Sequence, residues 1–172
     1  MKAYQLIYTA CGKERTGSFS TWSKSKEITD TEENEIIAVM SYRTSENAPY
    51  NPTPEEIRKC FPRIYSCFVL STGRKVLSTS TYIGPVYSDL DKRSGNFIIH
   101  ALVFDIGLNP NPLSVFASTQ FKKELLSNEW KNDAPLYLEP IDYHDSFNVN
   151  ENNIRNFVNT KNSDAIKGLL ES

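Results

Sequence analysis

Short apolar runs, separated by turns bearing Gly, Pro and Asn, set out the elements of this chain. AYQLIYTA (3–10) reads as a first strand, and CGKERTGSFSTWSKSKEI turns through glycine into a second around Phe19–Trp22. In TDTEENEIIAVMSY the acids come first and Ile36, Ile37, Val39 and Met40 later. That order suits a short helix with its negative charges at the positive end of the dipole. The loop NAPYNPTP (47–54) ends in a helix start: Thr53 caps, Pro54 takes the first helical position and Glu56 completes a T-x-x-E capping box. That helix ends near Pro62. RIYSCFVLS (63–71) and KVLSTSTYI (75–83) flank Thr72-Gly73-Arg74 and predict a hairpin. In its second strand Ser78, Ser80 and Tyr82 share one face, and Leu77, Thr79, Thr81 and Ile83 the other.

A 12-residue loop, GPVYSDLDKRSG (84–95), leads into RSGNFIIHALVFD (93–105). This last segment has the composition of a buried strand, and alternation puts Asn96, Ile98, His100, Leu102 and Phe104 on one face. NPNPLSVFAS (109–118) starts a helix with Asn111 as cap and Pro112 at the first position, and FKKELLSNEW (121–130) is amphipathic. APLYLEPI (134–141) reads as a short strand, followed by a polar loop and two terminal helices, the second capped by Ser163. The order of elements is not the strict βα alternation of a doubly wound sheet. It predicts an α+β fold: a mainly antiparallel sheet with short helices packed on one side, in a single compact domain over residues 1–172. The chain stops at Leu169-Leu170-Glu171-Ser172, at or just inside the end of a predicted helix, as either a whole domain or a piece of a longer protein would.

Composition narrows the function classes. Hydrophobic residues make up 39% and charged residues 23%, both globular values, and aromatics reach 12%. A net charge of −2 argues against non-specific nucleic-acid binding, which needs a basic surface to displace counterions. Three cysteines, Cys11, Cys60 and Cys67, follow no framework spacing, and no signal segment or membrane-length apolar run is present. The expectation is a cytoplasmic protein that uses neither nucleic acid nor membrane as partner. There is no G-x-x-x-x-G-K-[ST], G-x-G-x-x-G, H-E-x-x-H or G-x-S-x-G, and the two histidines, His100 and His144, cannot build a multi-histidine metal site. No catalytic residue, metal or cofactor is assigned.

What chemistry remains centres on His100. Arg93, Ser94 and Gly95 form the turn entering its strand and could present a guanidinium and backbone N–H groups to an anion. Asn96 and His100 point the same way about 13 Å apart, too far to bond each other but able to line one groove. The functional reading is a groove for a small ligand or peptide. The structural one is a neutral His100 bonded to a hydroxyl of the neighbouring strand, Ser78, Ser80 or Tyr82. Asp105 ends the strand on the face opposite His100, which makes a His–Asp pair within the strand geometrically poor.

Several of these residues together resemble a family. They are the first strand YQLIYTA, the G-x-F element GSF (17–19), SYR (41–43), VLSTS (76–80), and the Y-x-G…Y…RSGNFIIHALVFD run. The chain is similar over residues 3–105 to the N-terminal domain of bacterial GTPase-associated proteins, whose strand G-R-x-G-N-x-x-x-H-x-L-V is matched by Arg93, Gly95, Asn96, His100, Leu102 and Val103. Lys92 stands where that pattern has its first glycine. The resemblance implies the N-terminal module of a longer protein, a component of a multi-component bacterial conflict or anti-phage defence system encoded with a GTPase or other nucleotidase that would be its partner. Two functions follow as expectations. One is a non-enzymatic adaptor that binds a partner protein through the 84–95 loop and the strand after it, with Arg93, Gly95, Asn96, His100, Tyr82 and Tyr87 as binding residues. The other is an enzyme or ligand-binding domain using His100 with Arg93 and Asn96, since histidine suits proton transfer near neutral pH.

Overall fold

The computed structural model describes residues 1–9, 19–41, 53, 55–56, 63–84, 96–117 and 134–143. Within them the chain forms β1 (Lys2–Thr9), β2 (Ser20–Lys24), α1 (Asp30–Met40), β3 (Ile64–Val69), β4 (Lys75–Gly84), β5 (Asn96–Phe104), α2 (Pro112–Ala117) and β6 (Ile141–Asp142). Five strands run in the order β2-β1-β5-β4-β3, and β6 joins β1. Every pairing is antiparallel. This is the mainly antiparallel sheet with short helices that the sequence pattern predicts. The helix expected over 121–130, the two terminal helices, most of the helix after Thr53, the 85–95 loop, Cys11 and Cys60 lie outside the described residues.

Local chemistry explains the elements. The β3–β4 hairpin turns where Leu70 N–H donates to Arg74 O (2.8 Å) and Gly73 N–H to Leu70 O (2.9 Å). Gly73 takes φ +90°, a conformation that a side chain at this position would strain. Helix α1 starts on a capping box: Glu32 N–H donates to Thr29 Oγ1 (3.2 Å) and Thr29 N–H to Glu32 Oε1 (3.1 Å). The same reciprocal bonds join Thr53 and Glu56, as T-x-x-E predicts. Asn111 caps α2 by accepting from Ser114 N–H (3.2 Å).

Two corrections follow. The helices do not share one side of the sheet. On one face Tyr4, Leu6, Val76, Phe97, Ile99, Ala101 and Val103 pack with Ile36 and Met40 of α1. On the other Ala3, Tyr65, Cys67, Leu77, Leu102 and Phe104 pack with Val115 and Phe116 of α2 and with Tyr143. The reason lies in β5, the middle strand, whose Ala101–Phe104 run is apolar on both faces and reaches 0% exposure throughout. Covering both faces of such a strand takes an element on each side. The second correction concerns residues 134–141. Only Ile141–Asp142 is strand. Pro135 and Pro140 have no N–H to give to a ladder, and the segment before β6 bends at Leu136 and Tyr137 and is not part of the sheet.

Candidate functional site: the two faces of the central strand

The register of β5 decides what surrounds His100. It lies opposite Ile7 of β1 and Thr79 of β4, so these three share the α2 face of the sheet. Ser78, Ser80 and Tyr82 stand opposite Ala101, Ile99 and Phe97, and therefore belong to the α1 face. The expected bond from the His100 ring to Ser78, Ser80 or Tyr82 is thus corrected by parity alone. Ser78 does reach the residue, but Oγ donates to the His100 main-chain carbonyl (3.1 Å).

The ring's partner comes from β1. His100 Nε2 lies 3.1 Å from Gln5 Oε1, and Gln5 Nε2 donates to Glu139 O at 2.8 Å. The second bond orients the amide, because reversing it would set two carbonyl oxygens against each other. Oε1 then faces the imidazole, and Nε2 of His100 is the nitrogen that carries a proton. His100 is 3% exposed and Gln5 is 6% exposed. A ring so enclosed is a member of the interior, tied by a bifunctional amide on the same face to the segment beside β2.

Gln5 belongs to a wider set of contacts along the β2 margin. Residues 134–140 lie beside β2 as a strap running in the same direction. Ser23 Oγ donates to Pro135 O (2.7 Å), Leu138 N–H to Lys24 O (3.0 Å) and Ser25 Oγ to Leu138 O (2.8 Å). The strap then becomes β6, and Tyr143 N–H donates to Met1 O (2.6 Å).

The α1 face carries a second polar cluster, which sequence reasoning missed. Glu32 is 1% exposed. Its Oε1 accepts from Thr29 and from Arg74 Nη1 (3.2 Å), and its Oε2 from Thr72 Oγ1 (2.8 Å). Arg74 also donates to Glu27 O (2.9 Å), pairs with Asp105 Oδ1 (3.2 Å) and stands 5.1 Å over the Tyr4 ring. Tyr4 OH donates to Asp105 Oδ2 (3.1 Å). Glu35, one turn on, accepts from the N–H and the hydroxyl of Ser71. Burial by itself would raise the Glu32 carboxyl, but the bonds from Thr29 and Thr72 and the charge of Arg74 hold it below its ordinary value. Burial raises the Tyr4 phenol, and its bond to Asp105 raises it further. The cluster locks the hairpin turn and the end of β5 to the start of α1. Its signal was present in the sequence: Glu32, Ile36 and Met40 recur every four residues, which puts the acid on the buried stripe of the helix.

Of the six predicted binding residues, Arg93, Gly95 and Tyr87 lie outside the described residues. Asn96 opens β5 opposite Gly84. Tyr82 is buried on the α1 face and His100 on the α2 face, so these two do not line one groove. Asp105 sits on the α1 face, opposite to His100 as expected. At the end of the sheet where β5 begins, Phe19 of the G-x-F element stacks on Phe97 (4.4 Å between centroids) and on Tyr8 (5.8 Å). Among the described residues no three His, Cys, Asp or Glu side chains converge as a metal site, and no helix is long and apolar enough to cross a membrane.

A family model described as GTPase-associated protein 1, N-terminal domain type 2, matches residues 2–138, and the chain belongs to that family. No curated protein matches the chain, and no solved structure does.

Proposed function

We propose that this domain is a non-enzymatic interaction module of a bacterial GTPase-associated conflict or anti-phage defence system, coupling a GTPase partner to other components. One observation carries the reading. His100, the side chain best suited to general acid–base work in the β5 strand, is 3% exposed and spends Nε2 on Gln5. A catalytic base has to come within hydrogen-bond reach of the proton it takes, and this enclosure favours a structural histidine in a binding domain. The membership in a family named for association with a GTPase supports the kind of partner. The contact residues on this reading are Tyr87, Arg93 and Gly95, which precede β5 in sequence, and Asn96, which opens it. Arginine and tyrosine are the residue types that interfaces favour.

The test is affinity capture of the tagged chain from its own host, with GTP hydrolysis measured in the eluate. GTPase activity retained by the wild type and lost with Arg93→Ala, at an unchanged melting temperature, is the expected result. An eluate without GTPase activity contradicts the adaptor role. A substrate turned over by the purified chain and abolished by a folded His100→Gln variant would replace it with an enzymatic one.

A further inference from the structure

The segment before β6 displays apolar side chains on a fixed mount. Ala134, Pro135, Leu136 and Tyr137 are all exposed, Leu136 at 84% and Tyr137 at 50%, and the chain bends at the last two. One leucine in water is ordinary, but four exposed apolar residues in a row are a feature that folding does not call for. The mount itself is buried. Ser23 Oγ donates to Pro135 O, Ser25 Oγ to Leu138 O and Gln5 Nε2 to Glu139 O, and all three donors lie in the interior. Leu138 N–H adds a bond to Lys24 O, and the ring of Pro135 fixes its own φ. These anchors stand on both sides of the bend, so Leu136 and Tyr137 are held out at its apex. The bend falls inside the family match over residues 2–138.

We infer that Leu136 and Tyr137 form a preorganised apolar knob that inserts into a concave apolar pocket of the GTPase partner. Together they expose roughly 200–300 Å², well short of the about 800 Å² per partner that a stable dimer takes. Two knobs meeting face to face therefore do not make a dimer, whereas a pocket closing round a protruding leucine and tyrosine removes nearly all of that area from water. Residues 134–142 carry Glu139 and Asp142, both exposed, and no basic residue. That charge disfavours an anionic lipid surface and fits a pocket with a basic rim. A bend anchored on both sides loses little conformational freedom on binding, which is what the buried donors Ser23, Ser25 and Gln5 contribute. The inference rests on the reading of the domain as an interaction module for a GTPase, and adds a second contact to Tyr87, Arg93, Gly95 and Asn96.

The experiment replaces Tyr137 of the full chain by the photocrosslinking residue p-benzoylphenylalanine and irradiates it in lysate of its own host with radiolabelled 8-azido-GTP. A protein crosslinked to the chain and carrying the nucleotide label is expected, with the yield falling about tenfold when Leu136→Ser is added. Leu136→Ser alone is expected to melt with the wild type, as a residue already in water should. GTPase activity captured by the wild-type chain without a nucleotide-labelled crosslink overturns the inference and leaves the interaction-module reading standing. Absence of any captured GTPase activity overturns both. Crosslinks only to lipid or to a second copy of the chain, or a labelled crosslink undiminished by Leu136→Ser, overturn the inference as well. So does a Leu136→Ser melt lowered by several degrees, which would make that leucine part of the domain's own packing.

Discussion

Gln5 and His100 are 95 residues apart in sequence and 3.1 Å apart in the folded chain, joined from Oε1 to Nε2 across the pairing of β1 with β5. Because Gln5 Nε2 is committed to Glu139 O, the neutral imidazole is held as the Nε2–H tautomer. Side-chain nitrogen NMR at neutral pH should report that tautomer. Gln5→Ala removes the acceptor of a buried ring donor and should cost about 1–3 kcal/mol in urea unfolding, against a few tenths for a surface glutamine.

Glu32 and Arg74 provide a second stability test. Glu32→Ala leaves Thr72 and the Arg74 guanidinium facing an empty site. Arg74 is 21% exposed, so part of its charge is recovered by water. The loss should be about 3 kcal/mol, with an unchanged denaturant slope.

The same carboxyl sets an acid dependence. Its folded pKa lies below the ordinary value of 4.5. The contribution is therefore complete above that value and is lost as the pH falls through the lower, folded pKa. Glu32→Gln should be less stable than the wild type at neutral pH and lose less stability than the wild type on acidification from about pH 5 to pH 3. Parallel unfolding curves for the two proteins over that range would contradict the assignment.

Ser78 and Ser80 should respond oppositely to the same change. Ser78 Oγ donates to His100 O, whereas Ser80 Oγ is buried with no hydrogen-bond partner among the described residues. Ser78→Ala should destabilise by about 1 kcal/mol. Ser80→Ala removes a desolvated hydroxyl and should be neutral or stabilising by up to about 1 kcal/mol. Thermal melts of the pair check the sign.

Gly73 and Gly107 both take φ +90°. An added Cβ at Gly73 would meet Ile106 Cδ1 at 3.4 Å, an ordinary contact at the edge of tightness, and at Gly107 nothing within 4 Å. Alanine at either position should cost about 1–2 kcal/mol from backbone strain, with Gly73 the more sensitive. Melts of the two variants measure the order.

Much of the fold was legible because local chemistry fixes it. The Thr72-Gly73-Arg74 turn, the acid-first pattern of α1 and the Asn111-Pro112 start of α2 each act within a few residues. The faces within β4 were also legible, since alternation is intrinsic to a strand. Which β4 residue stands opposite His100 was not, because register is a relation between strands: one step separates Thr79 from Ser78 and Ser80. Gln5 was invisible for the same reason. The strap contacts leave no pattern at all, since carbonyls accept whatever side chain they belong to. Pro135 and Pro140 were the available warning against a strand at 134–141. The two-sided cover of β5 was readable in Ala101–Phe104, where four apolar residues in a row leave no polar face.

The central claim is that His100 holds the sheet together and that the domain acts by binding. It is tested most directly by running wild type, His100→Ala and Arg93→Ala in parallel through thermal melts and capture from the host, with GTP hydrolysis measured in each eluate. The account predicts a His100→Ala melt lowered by several degrees, about 2–4 kcal/mol for a buried side chain lost with its hydrogen bond. It predicts an unchanged Arg93→Ala melt with the captured GTPase activity gone. A His100→Ala chain that melts with the wild type, or GTPase activity captured equally by Arg93→Ala, would contradict it.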